Sequence, residues 1–300
     1  CYDGEKANLV FGVDYGNLGA DHRLYEFRRQ FNTFDVYLNL KSHSVEQKHF
    51  YYDVAANFAM STDNAYCPQL GSGRNVMENS FNASADLGQV FDMANSLLVK
   101  VDFNGLAYRS TTPTMNQGVY RVGINPRYKL QVNGLDLTLG VKLNYAWAAG
   151  TGLYDLQSGF QIAPDLTARV VVKEKKCVLT IGVTGDNVLA RYNQVVYKSH
   201  FIAPNRVCNA KIPYSVRLGL SGNIGRVFDY NIYGFFSAAR STPLYQVSYI
   251  SSLGGYASQF SFTDFSRAGG HIDLSLYFKA VRFHTEWEAA YSWFRKGVPA

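Results

Sequence analysis

The chain has 300 residues and carries 29 Lys and Arg against 23 Asp and Glu, a formal net charge of +6. That excess is spread out, with no run of about five or six like charges to make a nucleic-acid-binding arm, so nucleic acid is excluded as a partner. No stretch of roughly 18 consecutive apolar residues is present either, which excludes a transmembrane helix.

The apolar residues recur at every second position rather than in blocks. Residues 8–15 place Leu9, Phe11, Val13 and Tyr15 on one face. Residues 33–41 set Phe34, Val36, Leu38 and Leu40 against Asp35, Tyr37, Asn39 and Lys41. A polar turn over 42–49 leads to a strand over 51–60, and a loop over 61–78 carries Pro, Gly, Asn and Ser. Strands over 81–90 and 97–108 meet at a turn around 92–95, and in the second Leu97, Val99, Val101 and Phe103 oppose Lys100, Asp102 and Asn104. A Thr- and Pro-containing loop over 109–118 precedes a strand over 119–130. The Asn133-Gly134 pair that follows is a strong hairpin signal.

The clearest segment is 135–147, where every odd position from Leu135 to Trp147 is apolar and the even ones are polar or small. A Gly-rich loop over 148–159 leads to strands over 160–172 and 177–185, then to a long loop over 186–211. A hairpin over 212–224 and 228–236 comes next. The segment 237–270 has room for extra strand beyond a membrane, and strands over 271–279 and 283–294 close the series.

The pattern predicts thirteen strands joined alternately by short links of about three to eight residues and longer ones of about nine to over thirty. Strands of roughly 9–11 residues, tilted, match the hydrocarbon thickness of a bilayer. The 22 Tyr and 20 Phe fit as well, because amphipathic rings suit membrane–water interfaces. The predicted fold is all-β: one antiparallel transmembrane β-barrel domain over 1–300, of about 14 strands, in contact with outer-membrane lipid.

The polar face strengthens this. It gathers Lys100, Asp102, Arg121, Arg127, Lys129, Lys142, Asp165, Arg169, Arg217, Asp229, Asp273, Lys279, Glu286 and Glu288, while the apolar face carries essentially no charge. An Arg or Lys facing lipid near the midplane costs about 2–4 kcal/mol, so the segregation follows if one face meets lipid and the other a wet lumen. Two other charge clusters, His22-Arg23 with Arg28-Arg29 and Lys173 to Lys176, fall in a predicted loop and a predicted turn. Bacterial single-chain barrels have even strand numbers with both ends in the periplasm, so an odd count predicts at least one further C-terminal strand and leaves room for N-terminal ones.

Of four Cys, at 1, 67, 177 and 208, no pair has zinc-site spacing. Cys177 falls on the apolar face of a strand, and Cys67 and Cys208 fall in two different long loops.

Four segments carry a resemblance to a known group: Asn32 to Ser42, Glu78 to Asn82, Gly118 to Tyr128, and Ile162 to Asp165. Together they resemble Bacteroidota-type outer-membrane barrels of the TonB-dependent-receptor-like kind without an evident plug. The resemblance covers about residue 8 to 300 and implies fold and outer-membrane location. It implies additional strands at both ends and carries over no site residue.

No catalytic constellation is legible. Ser199-His200 falls in a loop, His271 and Asp273 sit two apart on the lumen face, and Glu286 and Glu288 pair more readily with Lys279, Arg282 or other lumen cations than with each other as a catalytic dyad. The sequon at Asn82-Ala83-Ser84 lies in a strand. No enzyme activity, metal or cofactor is predicted. Loop aromatics Tyr192, Tyr197, Phe201, Tyr245 and Tyr249 either anchor a ligand or fold over the barrel mouth. The expected function is porin- or receptor-like transport of a solute, in which a cationic lumen excess favours anions. The alternative is a non-conducting structural subunit working with other outer-membrane or periplasmic proteins.

Overall fold

The computed structural model describes residues 2–3, 7–22, 27–42, 50–66, 74–92, 94–111, 116–150, 158–173, 177–189, 191–198, 209–250, 255–278 and 281–294. Its strands are β1 (Tyr2–Asp3), β2 (Ala7–His22), β3 (Phe27–Ser42), β4 (Phe50–Tyr66), β5 (Arg74–Val90), β6 (Asn95–Ser110) and β7 (Gln117–Val132). They continue with β8 (Leu135–Gly150), β9 (Gly159–Lys173) and β10 (Cys177–Leu189). A seven-residue helix α1 (Tyr192–Lys198) precedes β11 (Asn209–Ile224), β12 (Phe228–Ile250), β13 (Gly255–Phe278) and β14 (Val281–Phe294).

Each strand hydrogen-bonds its sequence neighbours, antiparallel, in one sheet of order β1 to β14. The thirteen long strands, β2 to β14, coincide with the thirteen predicted segments, and β1 adds a two-residue pairing. The tight turns explain the register. Asn133 and Gly134 have φ of 45° and 82°, the paired left-handed conformation that joins antiparallel strands in two residues. At the β5–β6 turn the Asp92 carboxylate accepts from the backbone N–H of Ala94 and Asn95 at 2.7 and 2.6 Å. Hydrogen bonds from the Asn95 side chain, then from Ala94, hold the Asp92 carboxyl below its ordinary range.

The strands are longer than the apolar pattern implied. They run to 24 residues in β13, and the β12–β13 register continues to Ile250 opposite Gly255. Backbone pairing outruns the apolar row because each extra residue adds ladder hydrogen bonds whether or not its side chain is apolar. Much of the predicted loop sequence is therefore strand. Arg28 and Arg29 belong to β3, Asp63 to β4 and Glu78 to β5.

The two faces differ as predicted. Outward residues such as Phe11, Val13, Ile124, Leu139, Phe160 and Ile162 are exposed, with Ile162 at 63%. So many exposed large apolar side chains suit a lipid surrounding, not water. No helix among the described residues is long and apolar enough to cross a membrane. β14 pairs only with β13 among the described residues, and nearly all of its residues are exposed. Among the described residues, one buried apolar cluster, Phe31, Val76, Leu106, Tyr108, Tyr192 and Val196, lies where α1 meets the strands. Cys177 is a free, half-buried thiol. Cys67, Cys208, His200, Phe201 and Lys279, and the side chains of Tyr197, Tyr245 and Tyr249, lie outside the described residues.

Candidate functional site

Alternation along β6 to β10 turns one set of charges inward. Lys100, Asp102, Arg121, Arg127, Lys142 and Asp165 line a common cavity of about 250 Å³, as their period-two placement predicts. The structure adds two carboxylates to the predicted set. The Arg121 guanidinium binds Asp102, the Asn187 carbonyl oxygen and, at 3.0 Å, Asp186. Arg127 binds Asp86. Lys142 Nζ stands 3.6 Å from Asp186, and Asn125 donates to Asp165 at 2.8 Å.

Asp186 reads from sequence as the start of a loop because the alternation breaks there. The register with β11 shifts between Thr184 and Asp186, a bulge that re-aims the chain. Gly185 makes the bulge sterically open, since a Cβ there would sit 2.5 Å from the Pro213 carbonyl oxygen. Asp86 kept its period, but nothing in the sequence marks its partner 41 residues away. With these two included, the predicted cationic excess of this wall is not a free positive field. Arg121, Arg127 and Lys142 each face a carboxylate, and among the described residues Lys100 faces none.

A second cavity, of about 430 Å³, is lined by Thr167, Thr180, Thr184, Ser215, Ser221 and Asn231, with Arg217 beside them. The Arg217 guanidinium lies 3.6 Å over the Tyr233 ring, and Tyr233 stacks on His271 at 4.5 Å. His271 is buried, with Glu286 and Glu288 carboxylate oxygens at 3.7 and 3.8 Å. Glu288 also binds Arg267 at 2.6 Å, one of the other inward cations. Asp273 lies 3.3 Å from His284, and Arg169 lies 3.8 Å from Asp136. No grouping among the described residues could hold a metal ion. Asn82 donates to Asn57 at 3.3 Å within the sheet, so the sequon is occupied by a cross-strand bond.

The third assembly surrounds Tyr192. It is fully buried rather than exposed. Its hydroxyl donates to Asp63 at 2.5 Å and accepts from Arg29 at 3.2 Å, and Arg29 binds Asp63 at 3.0 Å. The Glu78 carboxylate accepts the N–H of Tyr192 at 2.6 Å and of Asn193 at 3.4 Å. Those donors open α1 and have no partner within the helix, so Glu78 satisfies them. The Tyr192 ring meets Tyr108 edge-on at 5.6 Å. Burial, then the neighbouring Asp63 charge, pushes the Tyr192 hydroxyl well above its ordinary pKa. Helix α1 is thereby latched onto β3 to β6.

This arrangement is the up-and-down antiparallel sheet of a transmembrane β-barrel wall, apolar on one face and polar on the other, with α1 folded onto the polar face. No protein-family model matches the sequence, and it matches no curated protein. Solved structures of similar fold are outer-membrane transporters and receptors. The FrpB iron transporter from Neisseria meningitidis superposes with a TM-score of 0.74 at 9% identity, over 99% of this chain and 52% of that one. The copper transporter OprC gives 0.69 at 13% identity, over 96% and 51%. The siderophore receptor PirA from Pseudomonas aeruginosa gives 0.66 at 10% identity, over 96% and 54%. The chain thus spans about half the length of these structures.

Proposed function

We propose that this protein resides in the Gram-negative outer membrane and mediates porin- or receptor-like transport of a solute, in the manner of the TonB-dependent-receptor-like group. The observation that carries the reading is the division of thirteen paired strands into an apolar outward face and a charged, hydroxyl-rich inward face. Only a polar passage or a polar filling needs the second face. The fold shared with iron, copper and siderophore transporters supports the first.

Planar-bilayer recording tests it. Discrete single-channel currents whose ion selectivity shifts on Lys142→Glu or Arg217→Glu support transport. The matched Arg–Asp pairs of β5 to β10 favour a second reading, a non-conducting subunit of an outer-membrane complex. A sealed barrel that co-purifies with fixed outer-membrane or periplasmic partners would replace the first reading with this one.

A further inference from the structure

We infer that the charged cavity between β6 and β10 is a binding subsite for a small oxyanion, a carboxylate or a phosphate. Its three carboxylates are engaged, while three of its buried nitrogen donors, and one amide oxygen, Asn125 Oδ1, are not. Asp102 and Asp186 hold Arg121, and Asp165 holds Asn125. Against them, Asn144 is only 3% exposed and its Nδ2 has no hydrogen-bond partner. The Nε atoms of Arg121 and Arg127 are buried and equally unpartnered. Lys100 lines the same cavity and makes no ion pair among the described residues. Lys100, Arg121, Arg127 and Asn144, on three adjacent strands, therefore border one space of about 250 Å³, with the unpartnered nitrogens buried in its wall.

Orphaned buried donors are costly unless something accepts from them, and charge-assisted bonds to an oxyanion are the strong way to do so. The floor is shaped for close approach at Gly123. A Cβ there would lie 2.6 Å from the Asp102 carboxylate and 2.8 Å from Asn144 Oδ1. Both side chains lean over this glycine, which leaves the Asn144 amide nitrogen as its free end.

The subsite deepens the transport reading and rests on it for its purpose. Equilibrium binding in detergent separates the two, because it requires no flux. Isothermal titration of the purified protein with inorganic phosphate and with citrate, at fixed sodium chloride, is the experiment. Saturable binding of either is expected, with phosphate alone or citrate alone naming the source. Lys100→Gln removes no ion pair and should weaken binding at least tenfold while heat-modifiable migration stays native. Gly123→Ala, which displaces Asp102 and Asn144, should do the same. Lys41→Gln, a lumen-side cation on β3 beside Asp53, should leave binding unchanged. No saturable binding of either anion means that water alone fills the cavity and overturns the inference. An equal loss in Lys41→Gln overturns it too, since diffuse charge would then explain the heat.

Discussion

The hydroxyl of Tyr192 donates to Asp63 Oδ2 at 2.5 Å across 129 residues of sequence, and the hydroxyl oxygen accepts from Arg29 at 3.2 Å. One phenol thus completes a buried ion pair and fixes a loop helix to the opposite wall. Tyr192→Phe keeps the edge-on packing against Tyr108 but strips both bonds from the Arg29–Asp63 pair. Hydrogen bonds to charged groups contribute about 1.5–3 kcal/mol. Limited trypsin digestion should cut after Arg191 at least tenfold faster in this variant. An unchanged rate would mean that the ring, not the hydroxyl, holds the latch.

The raised Tyr192 pKa gives the latch an alkaline limit. The neutral hydroxyl is the form that binds, so its contribution is complete below the ordinary tyrosine value of 10.0. It is lost as pH rises through the higher folded value. Ultraviolet titration should therefore find one tyrosine ionising last, with protease sensitivity at Arg191 rising in the same interval. Tyr192→Phe should remove that late step and no other.

Glu78 caps the start of α1 from another strand. Glu78→Ala frees the N–H groups of Tyr192 and Asn193, at a cost of about 1–2 kcal/mol. Hydrogen–deuterium exchange at those two amides should speed up roughly tenfold, while amides of the β8–β9 ladder keep their protection.

What the sequence disclosed, and what it hid, follows from the range of each signal. All thirteen long strands were legible because alternation is local, and Leu135 to Trp147 carries it without a break. The rim assembly was not legible. Arg29 and Asp63 lie past the last apolar outward residue of their strands, where the outward row turns polar at Asn32 and Thr62 and the pattern reads as loop. Tyr192 looked like any loop aromatic because its partners are fixed by the curl of the sheet. Asp186 was hidden by a bulge, which shifts a side chain by one position and so defeats a period of two.

Arg121 ties three acceptors on β6 and β10 together. Arg121→Met leaves the half-buried Asp102 without its cation, while Asp186 keeps Lys142 at 3.6 Å. Removing one partner of a fully buried pair costs about 3–5 kcal/mol, and the partial exposure of Asp102 with Lys142 beside Asp186 trims this to about 2 kcal/mol. Urea unfolding in detergent should show that loss. The double variant Arg121→Met with Asp102→Asn should recover part of it, because the worst uncompensated charge is then gone.

The membrane reading itself makes a prediction that a water-soluble sheet would contradict. Ile124 is outward, 44% exposed and central in β7. On a soluble protein an exposed position of this kind accepts Arg within about 0.5 kcal/mol. In a bilayer the same substitution places a guanidinium near the hydrocarbon midplane, at about 2–4 kcal/mol. Thr180→Lys, on the hydroxyl-lined wall of the lumen, should be nearly neutral in either setting. The decisive comparison is refolding into lipid vesicles: Ile124→Arg should lose stability and Thr180→Lys should not. Equal tolerance of both would remove the physical basis for assigning the apolar face to lipid, because the two positions differ chiefly in which side of the pleat they occupy.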